Sequence, residues 1–468
     1  MNIIRGLDAP TAVQTVHLAL FGDEVPLAEL DFLTENANLG RLAAVRSLAD
    51  AYIAGDDFQE SYAGSGPEAF VRALFFNLFD RNASIREAER WTTRLENGLD
   101  DAKLLFRVLN NASEADLEAW RSKLFIADYF TEQEAVDGYV PDQLTFQELT
   151  PNAELYAELE ELDERSDDLS LEVIGASLDG RPLYAATVGT GATKVLFITQ
   201  QHGDEPIGTE SALYLLDFLT GDSELAQQIR SELTVVVVPR VNPDGFERLE
   251  QEIGGVRGLV DPRLNDNAQD LNRTYDPDDP FSVSFAPESV AVRRLAEALD
   301  PDLLLDYHGQ GNYRTDDGDL VTLSVLWPTN EGVDPAVVED AKKAVAAIVQ
   351  SVEGNGFSEI TLYPGSDNPA IARNGFSLRD VPTILVEQRF GSETFALSRG
   401  LDLDYSALIS ALALEGFITM KGLLETIAEG EFEALDTAVA DALPERPPFL
   451  PYGDLYGDDA YVTETAFV

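Results

Sequence analysis

Val195-Leu196-Phe197-Ile198-Thr199 runs, through two glutamines, into His202-Gly203-Asp204-Glu205. The first five residues are almost wholly apolar, the reading of a strand buried on both faces. Leu303-Leu304-Leu305 repeats the pattern and runs into Asp306-Tyr307-His308-Gly309. Further strands are expected at Leu233–Val241, Leu320–Trp327 and Thr383–Glu387, with a hairpin from Leu171–Gly175 and Leu183–Val188. Between them lie helical patterns at about 208–219, 287–299, 333–353 and 405–426. Buried strands alternating with helices predict an α/β fold: a mixed, largely parallel sheet covered by helices on both faces. Sites in such folds gather at the carboxyl ends of strands, where His202, His308 and Glu387 all fall.

Histidine is scarce, three in 468 residues, and two of the three stand at these strand exits, each followed by glycine. Glu205 follows His202 by three residues, so one turn can aim an imidazole and a carboxylate at one point. Two imidazoles and one carboxylate make an open catalytic zinc site, with a fourth position left for water. His202, Glu205 and His308 are therefore the expected metal ligands, for one Zn²⁺. The third histidine, His17 in Val16-His17-Leu18-Ala19-Leu20, reads as a helical core-edge residue.

Composition narrows the partners. Thirty-two basic residues stand against 85 acidic ones, a net charge of −53. Such a surface repels nucleic acid and anionic membrane, and stays hydrated when salt screens its self-repulsion. It suits a marine or halophilic source. Without cysteine there is no disulfide framework and no thiolate zinc site. The first ten residues lack a basic start followed by an apolar run, so no cleavable signal peptide is expected. No membrane-inserted segment is expected either.

Residues 1–145 read as an all-helical accessory domain preceding the sheet. Phe70, Leu74, Phe75, Leu78 and Phe79 recur at helical spacing. Ser84 with Glu87 reads as a capping box, and Asn110-Asn111-Ala112-Ser113 as a break. The run FVRALFFNLFDR from Phe70 to Arg81, with Trp91, Leu95, Gly98 and Tyr129-Phe130, resembles a helical domain of unknown function. That domain recurs in secreted and surface-layer bacterial proteins, so the resemblance implies association with a cell surface. Residues 146–170 read as an acidic linker, 171–430 as the catalytic domain and 431–468 as an acidic, proline-containing tail. The chain is expected to be secreted or held at the cell surface; the cytoplasm of a halophile is the alternative.

Five ordered places between about 170 and 425 resemble the zinc metallocarboxypeptidase family, the carboxypeptidase A-like funnelins. They are His202-Gly-Asp-Glu205, Val241-Asn-Pro-Asp-Gly-Phe246, Arg263 with Asp270-Leu-Asn-Arg273, Asp306-Tyr-His-Gly309, and Tyr363 followed by Glu387. The resemblance implies a carboxypeptidase-like fold and hydrolysis of the last peptide bond of peptides and proteins. It assigns Glu387 as the base acting on water, and Arg263 as the oxyanion's partner, with Arg257 competing. Asn272 and Arg273 would hold the substrate's terminal carboxylate, a task that suits guanidinium. Tyr363 would close over bound peptide. Asp270 would accept a hydrogen bond from the first zinc histidine. Side-chain preference stays open. Arg373 pointing inward would favour acidic C-terminal residues, and Asp367 inward would favour basic ones. Two other functions remain: a zinc deacylase or amidase on the same scaffold, and a surface-associated binding protein with a vestigial enzyme domain.

Overall fold

A computed structural model describes residues 9–22, 24–25, 30, 42–55, 58, 62, 66–136, 149–279, 284–399 and 405–456. The chain divides into two compact units, Met1–Gln147 with Asp404–Ala411 and Glu148–Leu403 with Leu412–Val468.

Every described element of residues 1–147 is a helix: α1 (Ala9–Phe21), α2 (Leu42–Ala54), α3 (Gly66–Phe79), α4 (Ile85–Glu96), α5 (Asp101–Leu109) and α6 (Glu114–Val136). Phe70, Leu74, Phe75, Leu78 and Phe79 all point into the core of this unit, whereas Phe76, on the opposite face, is exposed. The Ser84–Glu87 capping box opens α4. The Asn110–Ser113 break separates α5 from α6. Trp91 is buried, with the guanidinium groups of Arg90 and Arg94 4.6 and 4.7 Å from its ring. His17 packs on Phe21 and Tyr52, ring centroids 4.7 and 5.5 Å away, an aromatic core-edge residue.

The second unit opens where a linker was expected. Residues Asn152–Arg165 form α7, which buries Leu155, Leu159 and Leu162 and turns its acidic residues outward. Thr150 donates twice to Glu210, and Arg240 donates to the Thr150 carbonyl at 2.8 Å. The acidic composition is that of one helix face; leucines at three- and four-residue spacing dock the other. Then come β1 (Leu169–Ala176), β2 (Pro182–Val188), β3 (Thr193–Thr199), α8 (Ile207–Thr220), α9 (Glu224–Glu232), β4 (Leu233–Val238), α10 (Pro243–Ile253), α11 (Pro287–Leu299), β5 (Leu303–Gln310), β6 (Leu323–Leu326), α12 (Pro335–Val352), β7 (Ile360–Leu362), α13 (Ala372–Ser377), β8 (Thr383–Arg389), α14 (Gly391–Ser398) and α15 (Ser406–Ala428).

Eight strands form one mixed sheet in the order β1-β2-β4-β3-β5-β8-β6-β7. β4, β3, β5 and β8 run parallel; β1 and β2 form an antiparallel hairpin, and β6 pairs antiparallel with β8. Central β3, β5 and β8 are adjacent, so the residues leaving their carboxyl ends share one edge of the sheet. α15 is long and apolar enough to cross a membrane. Leu412, Leu414, Phe417, Met420, Leu423 and Leu424 are nonetheless buried in the core of the second unit, where the Phe417 ring lies 5.8 Å from Phe218.

The stretch 431–468 reads from the sequence as an acidic, proline-containing tail. Residues Ala438–Asp441 and Tyr452–Tyr456 are short helical turns. Glu445 and Phe449 bridge to Leu362 and Tyr313. Residues 457–468 lie outside the described part of the chain.

Candidate metal and substrate site

At the end of β3 the backbone takes a left-handed turn at Gln200, φ 52°. The side chain holds that turn in place: Gln200 donates to the Gly203 carbonyl at 2.9 Å and accepts from Thr209 and Arg240, each at 2.6 Å. His202 and Glu205 follow directly. The two glycines after the histidines have steric causes. A Cβ on Gly203 would sit 2.1 Å from the Gly245 carbonyl carbon, in the Asn242–Gly245 turn. One on Gly309 would sit 2.9 Å from Glu205 Cγ. The turn after β4 is capped by Asn242, whose side chain accepts from the Gly245 amide and donates to the Arg263 carbonyl. Through that bond the turn anchors the segment carrying Arg263.

His202 and His308 each place Nδ1 2.8 Å from Glu205 Oε2, and the two Nδ1 atoms are 3.1 Å apart. All three side chains are buried. On the outer side, His202 Nε2 lies 3.1 Å from Asp270 Oδ1. His308 Nε2 lies 3.0 Å from Asp306 Oδ2 and 3.1 Å from Asn272 Nδ2. A tetrahedral zinc with ligand bonds of ~2.0–2.1 Å holds its donors roughly 3.3 Å apart. The observed triangle is close to that. His202, Glu205 and His308 thus form a candidate metal site, and its donor set fits zinc.

The electrostatics agree. Burial opposes ionisation of Glu205, but the two imidazoles overcome it and hold the carboxyl well below its ordinary range. Burial likewise opposes protonation of His308, yet Asp306 and Glu205 push it well above the usual imidazole value. Buried carboxylates in excess of fixed cations favour a bound cation.

The other residues singled out in the sequence fall around this triangle. Glu387 on β8 is in register with His308 on β5. Burial, and then the Glu205 charge, push its carboxyl up to about 7. Arg263 donates to Glu205 Oε1 at 2.9 Å and to Asp270 Oδ2 at 3.2 Å. Arg257 is exposed. Asn272 accepts from the Ala372 amide at 2.8 Å while its other end faces His308. Arg273 is exposed, and its guanidinium donates to the Asn272 carbonyl at 2.8 Å. Tyr363 follows β7, and the Glu387 charge, with burial, pushes its hydroxyl up to about 12. The 367–379 stretch is partly helical, as α13. Arg373 is turned inward and buried, whereas Asp367 is exposed.

One site residue escaped sequence reasoning. The Arg446 guanidinium stacks 4.1 Å from the Tyr313 ring and 4.4 Å from the Tyr363 ring. It also donates to Gln310 at 3.2 Å and lowers the proton affinity of Glu387. Its one signal is an arginine in an otherwise acidic, proline-rich stretch, which alone says nothing of where it docks.

Comparison with known proteins bears on this geometry. Residues 155–364 match the model of the zinc carboxypeptidase family. Residues 49–116 match a domain of unknown function, DUF4214. The chain is 30% identical over 171 residues to mouse carboxypeptidase M, and 29% identical over 225 residues to Caenorhabditis elegans carboxypeptidase E. These alignments take in 33% and 41% of this chain, and 38% and 44% of those proteins, less than half of either. A crystal structure of a metallo-carboxypeptidase from Burkholderia cenocepacia overlays with a TM-score of 0.45 at 20% identity, over 60% of this chain and 69% of that one. Glu387, Arg373 and Arg446 lie beyond the matched stretch. The family model takes in the metal triangle and the segments that carry Arg263, Asn272 and Tyr363. The chain therefore carries a domain of the zinc carboxypeptidase family, together with an N-terminal domain of unknown function.

Proposed function

We propose that this chain is a zinc-dependent metallocarboxypeptidase that releases the C-terminal residue of peptides and proteins. The observation that carries the proposal is the convergence, at three adjacent strand ends, of a His₂Glu triangle and a buried Glu387 in register with His308. Zinc at His202, Glu205 and His308 would polarise the scissile carbonyl and acidify a water. Glu387 takes a proton from the attacking water and delivers it to the departing amine, a double task that suits a carboxyl pushed up to about 7. Arg263, already at the triangle, stabilises the oxyanion as it forms. Asn272 and Arg273 hold the substrate's terminal carboxylate, and Tyr363 covers the bound peptide. Asp270 and Asp306 fix the two imidazole rings from behind.

The test is hydrolysis of N-blocked dipeptides by the purified chain, with and without a chelator. Release of the terminal amino acid is expected, abolished by chelation and restored by zinc. Glu387→Gln should lower kcat by at least ~100-fold. Full activity in that variant would remove Glu387 from the mechanism. Arg273→Ala should raise KM for free-carboxylate substrates alone. An equal loss on C-terminally amidated substrates would turn the reading toward an amidase.

A further inference from the structure

The segment between Tyr363 and Glu387 holds a cation that the protein leaves without an anion. Arg373, on α13, is 1% exposed. Its Nη2 donates to two neutral oxygens, Thr329 Oγ1 at 3.0 Å and the Ser366 carbonyl at 2.7 Å. Its Nε is buried without a partner, and among the described residues no carboxylate pairs with it. The chain has 85 acidic side chains available. The other buried arginines use their nitrogens more fully, although Arg240 too meets only neutral oxygens. Arg240 donates from all three nitrogens to Gln200, Asn152 and Thr150, and Arg389 bonds Asn312 and Glu393. An unpaired, desolvated guanidinium is costly, and few structures keep one without a use for it.

Its position supplies the use. α13 begins at Ala372, whose amide is bound by Asn272, the residue facing His308. The Ser366 carbonyl ties Arg373 to the segment just after Tyr363. Burial pulls its pKa down to about 10, and the charges that oppose this most are those of Tyr363 and Glu387. Arg373 therefore sits on the segment between Tyr363 and Glu387, next to the residue that Asn272 ties to His308, and close enough to Tyr363 and Glu387 for their charges to act on it.

Resting on the carboxypeptidase reading, we infer that Arg373 selects the side chain of the substrate's C-terminal residue, and selects an acidic one, aspartate or glutamate. Such a residue carries two carboxylates. Asn272 and Arg273 meet the one on the backbone, and Arg373 meets the one on the side chain through its unused nitrogens. Asp367, whose inward placement would have favoured a basic residue, is exposed.

The experiment compares N-blocked dipeptides ending in Glu, Asp, Gln, Leu or Lys on the zinc-loaded full chain. kcat/KM for Glu or Asp should exceed that for Gln or Leu by ~100-fold or more. Arg373→Met should lose at least that factor on Glu and less than tenfold on Leu; Arg373→Lys should keep part of the preference. Hydrolysis of Leu or Lys substrates as well as Glu overturns the inference and leaves the carboxypeptidase reading standing. Hydrolysis of none sinks both. Equal loss on all substrates in a folded Arg373→Met chain overturns it too, since the arginine then serves the backbone carboxylate or the loop alone. Should that variant not fold, product inhibition of the unmodified chain decides: free glutamate must inhibit at far lower concentration than leucine.

Discussion

Asp270 serves two neighbours at once. One carboxylate oxygen faces His202 Nε2 and the other accepts from Arg263. Burial works against its ionisation, but the bond to His202 dominates and holds its pKa well below the ordinary aspartate value. A carboxylate behind a ligand imidazole orients the ring and strengthens it as a donor. Asp270→Ala should therefore weaken zinc binding by ~10–100-fold, read by competition with a chelator of known affinity. An unchanged zinc affinity would mean that Asp270 serves Arg263 alone. The candidate metal triangle was legible in the sequence because histidine is so rare here and both strand-exit copies precede glycine. Arg446 was not legible: a segment far along the chain supplies it, and only the bridges at Glu445 and Phe449 fix where that segment lies. Nor was the direction of Arg373, since one short helix, α13, decides which way it points.

At the scale of elements, the central strands could be read because burial on both faces leaves continuous apolar runs. β7 could not: three residues, Ile360–Leu362, carry no period. α7 reads as a linker from composition because composition averages over a helix and hides its two faces. α15 holds a carboxyl in a costly place. Glu415 is buried, with Thr322 donating to it at 2.5 Å, and burial pushes its pKa up to about 7. Because this pKa is raised on folding, the native state binds more protons than the unfolded chain between pH ~4.5 and ~7. Stability thus falls as pH rises through that window and levels off above it. Glu415→Gln removes the penalty. The variant should be more stable than the parent by about 1–3 kcal/mol at pH 8, with the difference shrinking toward pH 5. Denaturant unfolding at the two pH values measures this, and an equal difference at both would show that ionisation of Glu415 is not the cause.

The whole molecule carries its charge as a standing strain. Even if every basic residue paired once, 53 carboxylates would remain unpaired. Those carboxylates crowd one another on the folded surface more closely than in an extended chain, so their repulsion opposes compaction. The Debye length falls from ~10 Å at 0.1 M salt to ~3 Å at 1 M, below the spacing of most surface charges. Screening should thus favour the folded state. The buried sites take little part, because the metal triangle and Arg373 are shielded from bulk ions. Raising sodium chloride from 0.05 to 1 M should lift the melting temperature by about 5 °C or more. At equal osmotic pressure, sucrose should lift it much less, because it stabilises by exclusion and screens nothing. If the melting temperature is flat or falls with salt, or sucrose matches the salt, self-repulsion does not limit this fold. The acidic surface would then bear on solubility alone.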